Sequence, residues 1–488
     1  MNKQIPLIAI DTVSDPEGTT SLASHGGEVN TQKIVSQSLY ASRKKIYVRK
    51  ITGFFQKIRA YSLTILLLMY FTFCWFTVGG EPLILFDIDA RKFHLFGAIF
   101  WPQDFTLLAF ALIISAFGLF FITSLFGRVW CGYSCPQTVW SFMFIWLEEF
   151  FEGSRNQRIK SDKSGLNLQK LLRKTAKHLS WLLLALATGI TFVGYFIPVR
   201  ELIADIGSLS LTSSWAIFWI IFFTAATYIN AGWLREQVCI YMCPYARFQS
   251  VMFNENTLIV GYDKQRGEPR GSRSRQEIKS GLGDCVDCQL CVQVCPTGID
   301  IRDGLQYECI GCALCIDACD SIMKKLNYST GLIRYASEKE FETGKPQRKF
   351  DAKTIAYAAL VILSVSIFTL LLIQRPLLEL SVMRERGALY QENGMGLIEN
   401  FYLLKVINKK ERAEKYILYI ENIDASLASK NLLKVGPGEV KNFPISVVMD
   451  PTNISEPAME IRFKLQEVNQ EQASVTVNSK FLGPINDW

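Results

Sequence analysis

Histidine is scarce in this sequence, and its scarcity excludes one class of redox centre. Among 488 residues there are three histidines: His25, His94 and His178. Only His178 lies near the basic end of a strongly apolar run, so the chain lacks the pair of axial histidines that a membrane b-type haem needs. Cysteine, by contrast, is absent from the last part of the sequence, since residues 376–488 contain none. Thiol chemistry is therefore confined to the first three quarters of the chain.

Acidic residues are missing where basic residues are dense, and this asymmetry predicts an orientation in a membrane. Residues 41–60 hold seven Lys or Arg and no acid, and residues 152–178 hold eight basic residues against Glu152 and Asp162. The segment 79–104 has the opposite balance, with four acids and two basic residues. Positive flanks stay on the cytoplasmic side, so the N-terminus and residues 152–178 are predicted to be cytoplasmic. The net charge of +7 thus reflects membrane topology, and no nucleic-acid partner is expected.

Long apolar runs predict about five membrane-spanning helices. Each run is close to twenty residues long with essentially no charge, which is the length a bilayer requires. They are Tyr61–Gly80, Phe105–Gly127, Leu179–Val199, Leu211–Leu234 and Thr354–Gln374. The apolar segment Gln137–Phe151 is shorter and predicts an interfacial or re-entrant helix. Five spans place the segment before the last one in the cytoplasm and everything after Gln374 outside.

Eight of the thirteen cysteines lie between Cys285 and Cys319, in two runs with the same Cys-x2-Cys-x2-Cys-x3-Cys spacing. This spacing is typical of two [4Fe–4S] clusters, in which the fourth cysteine of each run binds the other cluster. Zinc sites usually pair cysteines two by two, and disulfides do not suit a cytoplasmic segment. One predicted ligand set is Cys285, Cys288, Cys291 and Cys319, and the other is Cys309, Cys312, Cys315 and Cys295.

Four further cysteines form a second motif, Cys-x3-Cys-Pro, which occurs twice. Cys131 and Cys135 follow the second apolar run, and Cys239 and Cys243 follow the fourth, 108 residues later. Proline suits the first position of a helix, so Cys135 and Cys243 are expected at helix N-termini, where the helix dipole favours the thiolate. Gathered thiolates select soft ions such as Cu(I). The four cysteines are candidate copper or redox ligands, with a structural role in a tight elbow as the alternative.

The remaining segments complete a multi-domain membrane protein. Residues 261–283 are rich in Gly, Arg and Lys and predict a flexible linker. After Gln374, β-rich runs separated by turn signals predict an immunoglobulin-like β-sandwich. The runs are Asn400–Ile407, Lys415–Ile420, Phe443–Val448, Met459–Leu465 and Ser474–Val477. The predicted domains are a disordered cytoplasmic tail (1–40), a four-helix membrane region with both elbows (41–260), a cytoplasmic ferredoxin-type domain (261–350), a fifth transmembrane helix (351–375) and a periplasmic β-sandwich (376–488).

The whole pattern resembles one family, the cytochrome c oxidase accessory proteins called CcoG, FixG or Rdx. The most telling stretches are WCGYSCPQTVW, CIYMCPYARFQS and CVDCQLCVQVCPTGIDIRDGLQYECIGCALCIDAC. The resemblance implies a multi-pass protein of the bacterial inner membrane that carries two [4Fe–4S] clusters and assists assembly of a cbb3-type oxidase. It further implies reduction of Cu(II) to Cu(I), with oxidase subunits or copper chaperones as partners and an unidentified electron donor.

Two other functions share these motifs. A quinol-oxidising membrane ferredoxin of the NapH or NosR type has the elbows and twin clusters, but that type would end soon after its clusters. A non-enzymatic assembly scaffold could use the clusters only to sense redox state or to stabilise the fold. The fifth span and the β-sandwich favour the oxidase-assembly function, and a cupric reductase activity is the enzymatic form of that hypothesis.

Overall fold

The structure is a computed structural model. It describes residues 13–14, 20–21, 45–78, 80–208, 214–272, 281–345, 351–385, 387–410, 412–468 and 474–484. The chain divides into two units, Met1–Tyr47 and Val48–Trp488. In the first unit, β1 (Val13–Ser14) pairs antiparallel with β2 (Thr20–Ser21). Apart from these strands, the predicted tail of residues 1–40 lies outside the described residues.

The second unit begins with a helical region of apolar helices and short connecting elements. Its helices are α1 (Phe54–Thr72), α2 (Phe105–Phe126), α3 (Val129–Tyr133), α4 (Pro136–Glu152), α5 (Arg155–Lys163), α6 (Leu168–Val193), α7 (Val199–Gly207), α8 (Ser214–Thr227) and α9 (Pro244–Met252), with π-helical segments Tyr228–Leu234 and Val238–Met242. Between α1 and α2 lie β3 (Thr77–Val78), β4 (Glu81–Pro82), β5 (Ile84–Asp87), β6 (Lys92–Leu95), β7 (Ala98–Phe100) and the 3-10 turn Pro102–Asp104.

Four helices among the described residues are long and apolar enough to cross a membrane. They are Pro102–Phe126, Leu168–Val193, Trp215–Leu234 and Ala352–Ile373. Each overlaps one of the five predicted spans, so the chain is a multi-pass membrane protein. Helix α4 is a separate element of 17 residues and is not among the four.

The first predicted span, Tyr61–Gly80, differs from the structure. Helix α1 begins seven residues earlier and ends at Thr72, after which the chain turns into β3. Polar Gln56, Lys57 and Arg59 occupy its first two turns, which leaves an apolar stretch too short to count among the spans by length and composition. The orientation inferred from five spans therefore stays a prediction.

The cysteine-rich segment forms a small domain around two short helices. Its elements are β8 (Ile259–Tyr262), α10 (Lys264–Gly267), α11 (Leu290–Val294), the 3-10 turn Ile301–Asp303, α12 (Leu314–Lys325), β9 (Ile333–Ala336) and α13 (Glu338–Thr343). Strands β8 and β9 pair antiparallel, with Ile259 opposite Ala336. The predicted flexible linker 261–283 is therefore wrong for its first part, because buried Val260 and Tyr262 anchor β8 in the core of this domain.

The last part of the chain forms the predicted β-sandwich after helix α14 (Ala352–Ile373). Its strands are β10 (Leu378–Arg384), β11 (Gln391–Glu392), β12 (Ile398–Asn408), β13 (Glu414–Glu421), β14 (Ser426–Leu427), β15 (Leu432–Val435), β16 (Val440–Met449), β17 (Ala458–Glu467) and β18 (Ser474–Leu482), with a 3-10 turn at Pro451–Asn453. One sheet has the order β10-β12-β16-β14, with β11 beside β12, and the other has the order β15-β13-β17-β18. Alternate residues such as Tyr402, Leu418 and Phe463 fill the space between the sheets.

Helices α2 and α14 pack antiparallel and separate the β-sandwich from the first elbow. Near the end of α2, the Ser124 hydroxyl donates to Thr354 Oγ1 (3.3 Å) in the first turn of α14. At the opposite ends, Arg375 Nη2 lies 2.6 Å from Asp104 Oδ2, and Lys409 Nζ of the sandwich lies 2.9 Å from Asp104 Oδ1. The sandwich is thus fixed at the start of α2, whereas the first elbow follows its end.

Candidate iron–sulfur and thiol site

The two cysteine runs have the same backbone conformation. Asp287 and Gln289 in the first run have positive φ angles of 49° and 54°, and Gly311 and Ala313, 24 residues later, have 64° and 60°. Alternating left-handed residues turn successive peptide N–H groups toward one side and form a nest for negative charge. Helices α11 and α12 begin directly after these nests. Each run therefore presents cysteines and peptide donors to a common centre.

The second predicted ligand set comes together, including its distant member from the first run. Burial first, and then the neighbouring Cys312 and Cys295 thiols, raise the pKa of Cys309 to about 12. Burial and the thiols of Cys312, Cys309 and Cys295 likewise raise the pKa of Cys315 well above its usual value. All four cysteines line one cavity, together with Cys291 of the first set, Thr297 and aliphatic side chains.

The first predicted ligand set has the same crossed composition. Burial, followed by the Cys291, Cys285 and Cys288 thiols, raises the pKa of Cys319 to about 12. Cys319 belongs to the second run, so the runs exchange their last cysteines as the spacing predicts. Cys288 differs from the other seven in being exposed.

These residues fit two [4Fe–4S] clusters. Each set supplies four thiol donors at an apolar, mostly buried position, and peptide N–H nests face the same centres. Within the described ranges no three His, Cys, Asp or Glu side chains are arranged to hold a single metal ion. Such sets of four thiols suit multi-iron clusters, which would supply one-electron storage and transfer.

The two Cys-x3-Cys-Pro elbows repeat in structure as well as in sequence. Gly127 ends α2 with φ 57° and ψ −123°, and Arg235, 108 residues later, has φ 41° and ψ −108°. Cys135 and Cys243 then have the extended conformation of N-cap residues, with proline at the first position of α4 and α9. The predicted placement of both cysteines at helix N-termini is observed.

The fold brings the four elbow thiols into one another's electrostatic reach. Burial, and then Cys135, raise the pKa of Cys131 to about 12, with smaller contributions from Cys239 and Cys243. Burial, Cys135 and Cys243 raise the pKa of Cys239 to about 12. The thiol of Cys131 also donates to the Gln249 carbonyl oxygen at 3.3 Å. Within the part of the chain that the structure describes, these four are not arranged to hold a single ion.

One expectation about these thiols is wrong. The helix N-terminus was expected to favour the thiolate of Cys135, but burial raises its pKa above the usual value. The peptide N–H groups of Gln137 and Thr138 lower that pKa, and their effect is smaller than that of desolvation. The Cys135 thiol is therefore a weaker acid than an ordinary cysteine in the metal-free protein.

Sequence reasoning missed two residues that join the helical region to the cluster domain. Arg128 is buried, and its guanidinium donates to the carbonyl oxygens of Tyr307 and Ala246. Asp317, inside the second cysteine run, accepts hydrogen bonds from the N–H groups of Phe55 (3.2 Å) and Gln56 (2.7 Å) at the start of α1. Alignment of each repeat with its counterpart could have identified these residues, because the positions equivalent to Arg128 and Asp317 carry Glu236 and Gln293. Both residues break the symmetry of their repeat.

Comparison with protein families places these segments. Residues 234–338 match a 4Fe-4S dicluster domain, and residues 108–148, around the first elbow, match a 4Fe-4S binding domain. Residues 368–484 match an IG-like fold at the C-terminal of FixG. The fold class predicted from the sequence is thereby confirmed: a helical membrane region, a ferredoxin-type domain with two cluster motifs and a C-terminal immunoglobulin-like sandwich.

Curated relatives match most of the chain. The nitrogen fixation protein FixG of Rhizobium meliloti is 36% identical over 426 residues, which cover 80% of this chain and 81% of FixG. Protein RdxA of Cereibacter sphaeroides is 39% identical over 403 residues, with 79% and 84% covered, and RdxB is 36% identical over 436 residues, with 86% and 88% covered. A crystal structure of a FixG-related protein from Vibrio parahaemolyticus covers 22% of this chain and 98% of its own at 32% identity, with a TM-score of 0.21. The chain is a membrane iron–sulfur redox protein and belongs to the FixG/Rdx family.

Proposed function

We propose that this protein passes electrons from its two clusters to copper held by the four elbow thiols. Cu(II) would be reduced to Cu(I) and delivered during assembly of a cbb3-type oxidase. The observation that carries the proposal is that Cys131, Cys135, Cys239 and Cys243 lie within electrostatic reach of one another, beside the contact of Gly132 with the cluster domain.

The chemistry of the elbow suits the product of this reaction better than its substrate. Soft thiolate ligands select Cu(I), so binding at the elbow would favour the reduced ion. Each Cu(II) takes up one electron and no proton, and a thiol that binds copper releases its own proton to water. Because the pKa values of Cys131 and Cys239 lie near 12 in the metal-free protein, the copper charge would have to displace those protons. Thiol binding and copper reduction would then support each other.

The proposed orientation places this chemistry in the cytoplasm and the β-sandwich in the periplasm of a bacterial inner membrane. Five of the seven basic residues of 41–60 precede the start of α1, which contacts the cluster domain through Asp317. The sandwich lies at the other end of α2, beside Asp104. A cytoplasmic cluster domain would meet intracellular electron donors. The sandwich would bind oxidase subunits or copper chaperones.

The experiment starts from anaerobically purified protein with reduced clusters. Cu(II) is added with a chelator specific for Cu(I), and a quinone is added to a parallel sample. Cluster bleaching that matches the amount of Cu(I) formed is the expected result, because each copper ion takes one electron. Oxidation by the quinone alone would support the quinol-oxidising alternative, and electron exchange with neither would support the scaffold.

Serine variants locate the acceptor. The variants Cys131→Ser and Cys239→Ser should retain both clusters and lose rapid Cu(I) formation. Cys74→Ser is the matched control, because Cys74 is a buried cysteine whose thiol faces the Phe71 carbonyl near the end of α1, outside both predicted ligand sets. Equal loss in all three variants would show that copper reacts with thiols in general and would refute the elbow site.

A further inference from the structure

The cluster domain lies directly against the first elbow, at its second cysteine run. A Cβ atom built on Gly132 would lie 3.0 Å from Cys312 Cα and 3.0 Å from the Ile310 carbonyl oxygen. Such distances are shorter than most side-chain contacts, so a Cβ atom here would force the facing backbone to shift by a few tenths of an ångström. Gly132 adjoins Cys131, and Cys312 belongs to the second ligand set.

Further contacts fix the same interface. A Cβ on Gly311 would lie 3.2 Å from the Arg128 carbonyl carbon, and the positive φ of Gly311 also favours glycine. The Tyr133 hydroxyl donates to the Cys312 carbonyl at 3.3 Å, and the Arg59 guanidinium donates to the Gly132 carbonyl at 3.1 Å. Elbow and cysteine run are thus joined backbone to backbone.

The second elbow has no glycine at the equivalent position. Its residue at the position of Gly132 is Ile240, whose side chain would prevent the same close approach. Ile240 accepts a hydrogen bond at its carbonyl from the Tyr307 hydroxyl (3.0 Å), a side-chain contact. The single cluster domain therefore adjoins the repeated elbows unequally.

The first ligand set opens to solvent on its own side. Cys288 is exposed, as are its neighbours Asp287 and Gln289. Near Cys291 of the same set, the Arg302 guanidinium lies 2.5 Å from Asp287 and 2.6 Å from Asp300. This side presents Cys288 and the exposed Asp287 to a partner, whereas Arg302 and Cys312 are buried, the latter against the first elbow.

We infer that the two clusters work in series, with the Cys288 side receiving electrons and the Cys312 side delivering them to the elbow. This inference rests on the proposed function. The electron donor would be a soluble one-electron carrier of the reduced iron–sulfur or flavin type. The carrier would be oxidised, one electron at a time, as the exposed cluster site is reduced. The electron then moves to the buried site and reduces one Cu(II) at the thiols. Gly132 is a positioning residue that sets the final gap.

Two spin labels test this order without copper. Genetically encoded labels, which spare the cysteines, are placed at Gln289 beside Cys288 and at Trp130 beside Cys131. The relaxation of each label is followed by electron paramagnetic resonance during a redox titration. The Gln289 label is expected to respond to one reduction step and the Trp130 label to the other. Where the two reduction steps are resolved, a response of both labels to the same one would overturn the inference.

If the two steps coincide, Arg302→Gln separates them, because the lost positive charge acts on Cys291 of the first ligand set, whereas the guanidinium that acts on Cys312 is that of Arg59. The Gln289 response should then shift in potential while the Trp130 response stays in place. A shift of the Trp130 response would also overturn the order. The label experiment contains no copper. If it confirms the order of the two clusters while the separate copper assay shows no Cu(I) formation, the proposed function alone is refuted.

A kinetic test examines Gly132 itself. Gly132→Ala should slow electron delivery from the reduced clusters to Cu(II) severalfold, with cluster content and the Gln289 label response unchanged. The control is Ile240→Val, at the repeat-equivalent position, which should leave the rate unchanged because the backbone carbonyl that accepts from Tyr307 is kept. Equal slowing in both variants, or no slowing in Gly132→Ala, would contradict a positioning role for Gly132.

Discussion

Replacing Glu148 by glutamine should loosen the second elbow and destabilise the helical region. Glu148 lies on α4, after the first elbow, and its side chain is 1% exposed. Its Oε2 lies 2.6 Å from Arg235 Nη2 and 3.6 Å from Arg158 Nη1. Arg235 is the residue with φ 41° that turns the chain into the second elbow. One carboxylate therefore connects the helix after the first elbow to the start of the second.

The expected cost follows from charge burial. The carboxylate balances two guanidinium groups that are 2% and 10% exposed. Removing one partner of a buried ion pair leaves an uncompensated charge and costs about 3–5 kcal/mol. A further cost arises because a left-handed backbone is unfavourable for arginine without a compensating contact. The amide of glutamine keeps the size and one hydrogen bond, so most of the loss is electrostatic.

The measurement is unfolding of the detergent-solubilised protein followed by tryptophan fluorescence. Trp181 is a local reporter, because the Arg235 guanidinium lies 5.3 Å from its ring and Lys177 Nζ lies 4.8 Å from it. The control is Glu149→Gln, the same change one position along α4, where the side chain is only partly buried. A loss of unfolding free energy under about 1 kcal/mol in Glu148→Gln, the range found for exposed ion pairs, would refute the proposed stabilising role of Glu148.

Three further outcomes are expected. Asp104→Asn should loosen the β-sandwich, seen as faster hydrogen exchange at its junction with α2, because the carboxylate is shared by two buried cations. Gly53→Ala should remove the cap of α1 and lower stability by about 1 kcal/mol or more in thermal unfolding, because its Cβ would lie 2.2 Å from Asp317 Cγ. Asp263→Asn should flatten the loss of stability below about pH 4. Burial works to raise the pKa of Asp263, but the hydrogen bond from Arg334 helps to lower it below its usual value. The stabilising contribution of the carboxylate is therefore present at neutral pH and is lost as the pH falls through that lowered pKa.

Local spacing made much of this molecule predictable. The cysteine runs and the Cys-Pro elbows are short motifs whose backbone conformation follows from residues a few positions apart. The crossed grouping of Cys295 and Cys319 could be anticipated for the same reason, because the spacing dictates which thiols reach one centre. The strands of the sandwich were found from alternation, which the burial of β13 and β17 reproduces.

Long-range contacts account for what the sequence could not reveal. Gly132 reads as an ordinary residue of a short helix until the backbone of Cys312 is placed against it. The bounds of α1 were wrong because apolarity continues past Thr72, whereas the helix ends where β3 begins. The expected thiolate at Cys135 failed because burial by distant segments outweighs the local helix N-terminus.

The antiparallel pair of α2 and α14 separates two tasks in space. Helix α2 has 22 residues, so its length is about 33 Å at the rise of an α-helix. Asp104 fixes the sandwich at one end, and Gly127 leads into the thiols at the other. A protein bound to the sandwich would therefore stand about the length of α2 from the elbow thiols. In the proposed function, a copper ion would need a separate route between the two sites.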